Sequence, residues 1–158
     1  MRKVLLFEAI FSALLVIAIA VLVIRKPVND VPLEKIGRAF EQRSDFSTME
    51  KFSDMRLRRN LSLDAADLTE YLYYGQSDTM AVQIFFVAKC PGEDSVERTL
   101  AAVETYLERE KQAFEGYGIS QTALLNDARV IREENYVAFI VSDDASEWES
   151  KFRAMLEE

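Results

Sequence analysis

Residues 4–24 constrain this chain more than any other stretch. They run for 21 positions interrupted only by Glu8 and Ser12. At helical rise such a run spans roughly 31 Å, about the hydrocarbon thickness of a bilayer. Glu8 stands close to one interface, where an ionisable group costs less than at the centre. Beyond it, eleven Leu, Ile, Phe or Val side chains from Ala9 to Ile24 contribute roughly −3 to −6 kcal/mol toward insertion, which outweighs one off-centre carboxylate. A transmembrane signal-anchor is predicted over residues 1–26. Ala18-Ile19-Ala20 superficially satisfies the small-residue cleavage rule, but Val21-Leu22-Val23-Ile24 prolongs the apolar run past it, so the anchor is expected to stay uncleaved.

Charge flanking the anchor leaves its orientation open. Arg2 and Lys3 precede it; Arg25, Lys26, Lys35, Arg38 and Arg43 follow. That count favours a cytoplasmic body, whereas the short basic head resembles a signal-peptide start and long domains translocate largely regardless of flanking charge.

The two parts of the chain differ sharply in charge: residues 1–26 carry +3 and residues 27–158 carry −11. A body so acidic repels phosphate backbones, so no nucleic-acid partner is expected. Histidine is absent, which removes His-based triads and metal sites, and Cys90 is the single cysteine, so no internal disulfide can form. No motif asks for a cofactor.

Residues 27–32 read as a short linker stiffened by Pro27 and Pro32. Leu33, Ile36, Ala39 and Phe40 recur at helical spacing, predicting a helix over about 32–43. Residues 45–60 mix apolar and charged side chains and read as short helical turns or loop. After a turn at Asp64-Ala65-Ala66-Asp67, residues 68–74 are strand-like, and residues 80–89 alternate with apolar side chains on both faces, as an interior strand does. The Gly75-Gln76-Ser77-Asp78 turn would join them as a hairpin.

Asp94 with Glu97 resembles a capping box opening a helix over about 95–116, with Val96, Leu100, Val103, Leu107 and Phe114 on one stripe. One short helical turn fits residues 119–127. Residues 128–132 and 136–142 form a second expected hairpin. A last helix, capped by Ser142 or Asp143, places Ala145, Trp148, Phe152 and Met155 on one face. The expected fold class is α+β: a transmembrane helix, then over residues 33–158 a four-stranded antiparallel sheet of two hairpins packed with helices.

Few residues suggest chemistry. Asp143-Asp144 and Glu133-Glu134 invite a hydrolase reading but suit a helix start and a turn. Cys90 has no histidine to activate it and reads as a small side chain at a strand end. Arg56-Leu57-Arg58-Arg59 is the one basic cluster of the body and reads as a solvated patch. Tyr71, Tyr73 and Tyr74, with Phe85 and Phe86 nearby, are the candidate ligand surface, an aromatic platform for a sugar or peptide; core packing is the competing reading.

Over residues 33–155 the order of features resembles the bacterial domain-of-unknown-function 4358 family. The resemblance is carried by Asp45-Phe46-Ser47-Thr48-Met49-Glu50, by Leu63-Asp64-Ala65-Ala66-Asp67-Leu68 before an aromatic strand, by Phe114-Glu115-Gly116-Tyr117, and by Asn126-Asp127-Ala128-Arg129-Val130 leading to Asn135-Tyr136-Val137. It implies a domain held outside the cytoplasmic membrane by an anchor or a lipoprotein signal. With no cysteine near the apolar run, a lipid anchor does not carry over. The family has no established activity, so the resemblance implies no catalytic residue. The expectation is a single-pass membrane protein whose body is a non-enzymatic interaction or ligand-binding module at the cell envelope, its partner being an envelope protein or ligand. The alternatives are an extracytoplasmic Asp/Glu-dependent hydrolase of wall or sugar polymers and a cytoplasmic-facing membrane adaptor.

Overall fold

The computed structural model describes residues 29–158. The expected anchor at 1–26, with its apolar span at 4–24, and the first two residues of the linker lie outside them. Among the described residues no helix is long and apolar enough to cross a membrane.

The order of elements is α1 (Leu33–Glu41), a 3₁₀ turn (Ser44–Phe46), β1 (Glu50–Lys51), α2 (Asp54–Leu61), a second 3₁₀ turn (Ala65–Asp67), β2 (Glu70–Gly75), β3 (Ile84–Lys89), α3 (Glu93–Phe114), α4 (Ile119–Asn126), β4 (Arg129–Glu133), β5 (Tyr136–Val141) and α5 (Ala145–Glu157). The class is α+β as expected, with the strands antiparallel in the order β1-β2-β3-β5-β4.

The sheet has five strands rather than four. β1 supplies the difference: two exposed residues pair with Tyr74 and Gly75, too short a segment to leave any alternation in the sequence. The residues after it, expected as short helical turns or loop, form the two-turn helix α2, whose buried side chains are only Leu57 and Leu61, one turn apart. Two boundaries also differ. β3 starts at Ile84, because Asp78 Oδ1 accepts from Met80 N–H at 2.7 Å and folds residues 77–81 into a turn. α3 starts at Glu93 with Gly92 before it. Gly92 C=O accepts from the Ser95 and Val96 amides, so Asp94 lies inside the helix and the expected capping box is not formed.

β3 and β5 are buried on both faces, and their alternation builds two cores. On one face Phe85, Val87, Ala138 and Ile140 meet α1 and α5 through Ile36, Phe40, Trp148 and Phe152. On the other, Ile84, Phe86, Ala88, Val137, Phe139 and Val141 meet α2, α3 and α4 through Leu57, Leu61, Val96, Val103, Leu107 and Leu125. The register Phe85↔Ile140 and Phe86↔Phe139 fixes which side chain enters which layer; a slip of one residue would exchange them.

Residues 29–32, the last four of the six residues expected as linker, are docked on this body. Asn29 N–H donates to Leu156 C=O at 2.8 Å, and Val31 is buried with its N–H donating to Tyr136 Oη at 2.9 Å. Asp30 pairs with Lys89, which holds the Asp30 carboxyl below its usual range. The chain therefore reaches the sheet at the pole formed by the end of β3 and the start of β5.

Candidate functional site

α1 is short and amphipathic: Leu33, Ile36, Gly37 and Phe40 face the core while Glu34, Lys35, Arg38 and Glu41 are wet or at the margin. Its first turn begins after Pro32 and has no cap of its own. The missing acceptor comes from the sheet, where Glu70 Oε2 on β2 accepts from Leu33 N–H at 3.0 Å. A carboxylate there also suits the positive end of the helix dipole. At the other end of α1, Tyr74 Oη donates to Glu41 Oε1 at 2.6 Å. Burial and then the Glu41 carboxylate push the Tyr74 phenol above its ordinary value.

Between these two contacts α1 and the edge of β2 border a groove of about 470 Å³. Leu72 forms part of its wall beneath Gly37; a Cβ at Gly37 would sit 3.4 Å from Leu72 Cδ1 and 3.6 Å from Tyr74 Oη. Glu34, Arg38, Lys51 and Glu70 line it with charge of both signs, and Tyr71 borders it from β2. β1 covers only the far end of this strand: it pairs with Tyr74 and Gly75, and Phe52 N–H adds a bond to Tyr73 C=O. No other strand among the described residues lies beside β2 on that side, so residues 70–72 face the groove along an open sheet edge.

The structure does not bring Tyr71, Tyr73 and Tyr74 onto one platform. Side chains alternate along a strand, so Tyr73 and Tyr74 enter opposite cores. Tyr73 is fully buried between Phe52 and Phe86, its Oη accepting from Asn60 Nδ2 at 2.9 Å, and burial raises its phenol. Tyr71 is half-buried against the second core; burial first, then the Asp54 carboxylate to which it donates, push it up to about 12. Of the three, Tyr71 and Tyr74 line the groove. Phe85 and Phe86 are fully buried. Glu41, Glu70 and Lys51 were not singled out in the sequence; a glycine inside the helical stripe of α1 was the one local sign that something approaches the helix there.

The remaining candidates are dispersed. Asp143 accepts from Gln83 Nε2 at 3.1 Å, while Asp144 only precedes α5. Glu133 pairs with Arg153, whereas Glu134 takes a positive φ of 49° in the hairpin turn. Cys90 is buried 3.6 Å from Thr99 Oγ1. The arginine cluster splits around α2: Arg56 lies over the Phe52 ring and Arg58 pairs with Asp64. No group of three or more Cys, Asp or Glu among the described residues could hold a metal ion.

A second constellation joins α5 to the stretch after α1. Arg43 grips Asp45 with two bonds, 2.8 Å from Nε and 2.7 Å from Nη2, and reaches Glu147 at 2.7 Å. Trp148 Nε1 donates to Asp45 Oδ2 at 2.9 Å. The Arg43 guanidinium, with help from the Trp148 N–H, lowers the Asp45 carboxyl to about 2. All four side chains are engaged with one another, so this is a clamp that fastens the groove-bearing layer rather than a site with room for a ligand.

Compared with known families, the chain matches over residues 42–142 the model described as Domain of unknown function (DUF4358). No curated protein and no solved structure matches it.

Proposed function

The chain belongs to the DUF4358 family, and from that premise we propose that it is a single-pass membrane protein whose acidic body is a non-enzymatic binding module displayed outside the cytoplasmic membrane, at the cell envelope. Its ligand lies in the groove between α1 and β2. The observation that carries this reading is the construction of that groove: a polar contact at each end of α1 fixes the helix on β2, and an open strand edge borders the groove between them. A groove with an apolar wall and a few fixed polar groups suits an extended ligand such as a peptide or a glycan strand.

A glycosidase acid needs its carboxyl pushed up toward neutrality. The shifted carboxylates here, Asp30, Asp45 and Asp64, all move down, drawn by Lys89, by Arg43 and by the Ala66 amide with Arg58. Titrating wall-derived glycans and extended peptides into the full-length chain in nanodiscs, observed by NMR, tests the reading. Binding shifts should concentrate at Gly37, Leu72, Tyr74 and Lys51, and Gly37→Trp, which fills the groove, should abolish them. Turnover of a glycan, or binding indifferent to Gly37→Trp, would contradict it.

A further inference from the structure

The pole of the body farthest from the point where the chain arrives carries an exposed apolar surface that the groove does not use. The chain docks at the Lys89 and Tyr136 ends of β3 and β5. At the opposite ends of those strands, Ile84 and Val141, the loop of residues 76–83 meets the corner between α3 and α4, fastened there by Gln121 Nε2 donating to Met80 C=O at 3.2 Å. Three of the four large apolar side chains left exposed among the described residues stand on these two segments: Met80 at 47 %, Tyr117 at 66 % and Ile119 at 86 % relative exposure. Single exposed apolar residues need no explanation, but three on two segments that one hydrogen bond joins make this tip the most apolar exposed part of the described body.

The patch is held in shape before any partner arrives. Gly116 turns the corner at φ +86°, and Gly118 packs so closely that a Cβ there would come 2.5 Å from Phe114 Cδ1. Between them the Tyr117 ring rests on Phe114 at 5.7 Å between centroids. A pre-positioned tyrosine is the chemistry of an interface anchor, since little side-chain freedom is lost on binding, and a methionine on the adjoining loop can adapt to what it meets.

The charges on the rim segments themselves are acidic, and the cations that touch them, Arg43, Arg129 and Arg153, reach Glu147 and Glu149 of α5. Residues 75–83, 112–128 and 142–150 contain no Lys or Arg, while Asp78, Glu115, Asp143 and Asp144 are exposed. Of the cations next along the chain, Lys111 pairs with Glu108 and Arg129 with Glu149. Such a rim repels anionic lipid and a second copy of itself alike. We propose that this pole is a docking surface for a cationic amphipathic polypeptide segment, one presenting two or three apolar side chains framed by Lys or Arg. On the anchor reading it also points away from the bilayer, toward a partner's chain; the binding itself does not depend on that reading.

The test uses the full-length chain in zwitterionic nanodiscs and a fluorescent peptide of about 18 Leu and Lys residues at helical spacing, with empty nanodiscs subtracted. Binding read by anisotropy should weaken at least about tenfold in Tyr117→Ser/Ile119→Ser and several-fold in Glu115→Lys. Met55→Ser, which alters the exposed apolar residue of α2, should bind as the parent does. Equal binding of a scrambled peptide of the same composition, or retention of parental affinity in Tyr117→Ser/Ile119→Ser, overturns the proposal. So does concentration-dependent self-association of the parent, by sedimentation, that Ile119→Ser abolishes, because the occupant would then be a second copy.

Discussion

The two faces of the sheet solve the same burial problem with different materials. Beneath α1 and α5 the core is ring upon ring: Phe40 stacks on Phe85 at 4.2 Å between centroids, Phe46 and Trp148 meet both of them edge-on or tilted at 5.6–6.1 Å, and they meet each other at 5.3 Å. Beneath α2, α3 and α4 the core is chiefly aliphatic, laid down by one 22-residue helix whose stripe repeats Val96, Val103 and Leu107. A long helix spreads its contacts over many medium-sized side chains. Two short ones must bury few large ones, and here they also need a polar clamp, Arg43–Asp45–Trp148, to fix their approach. The face assembled from large pieces leaves the groove of about 470 Å³; the other leaves smaller ones of about 280 and 230 Å³ between α3 and residues 60–68. Loss of a single side chain should therefore hurt the ring-built face most.

Trp148→Ala should produce the largest effect. It removes a side chain 1 % exposed together with the donor to Asp45, and should cost about 4–5 kcal/mol in urea unfolding. Leu57→Ala, equally buried on the other face, should cost about 2–4 kcal/mol. An equal or reversed order would break the comparison.

Asp45→Ala comes next, at about 2 kcal/mol, because it removes the acceptor of the Trp148 N–H and two of the three bonds of Arg43, which keeps Glu147. Its acid signature sharpens the point. The folded-state Asp45 carboxyl lies at about 2 against an ordinary 3.8, so its contribution is full above about 4 and disappears as pH falls toward 2. Unfolding midpoints measured across that window should drop less steeply in Asp45→Asn than in the parent.

Two glycines give the smaller effects, with opposite signs. A Cβ at Gly75 would come within 2.5 Å of Phe52 Cε2 and 3.3 Å of Gln83 C=O, so Gly75→Ala should destabilise by about 1–3 kcal/mol. At Gly37 the same methyl makes only ordinary contacts of 3.4–3.6 Å in mid-helix, so Gly37→Ala should stabilise by about 0.5–1 kcal/mol. Thermal melts of the pair resolve the signs.

The same physics decides what could be read in the sequence. β3 and β5 announce themselves because apolar residues on both faces mean burial between two layers, and α3 and α5 because their stripes run for several turns. β1 and α2 do not. Two exposed residues have no period, and α2 buries only Leu57 and Leu61 among three arginines, so its helicity comes from the surface on which it rests. The groove was legible only in part. Tyr71 and Tyr74 could be named as aromatic residues on a strand, but the partners that shape the site, Glu41 and Glu70, join through contacts 33 and 37 residues apart in the chain. No local pattern records such pairs. Strand alternation could have separated Tyr73 from Tyr74 at once, since neighbours in a strand cannot share a face.

Membrane display is the claim on which the functional reading turns, and Met55 offers direct access to it. Cys90 is buried, so a cysteine placed at Met55, which is 75 % exposed on α2, becomes the reactive thiol. Full-length Met55→Cys should be modified by a membrane-impermeant maleimide in intact cells as completely as after lysis, and should sediment with the membranes. Modification only after lysis, or recovery in the soluble fraction, would contradict the account.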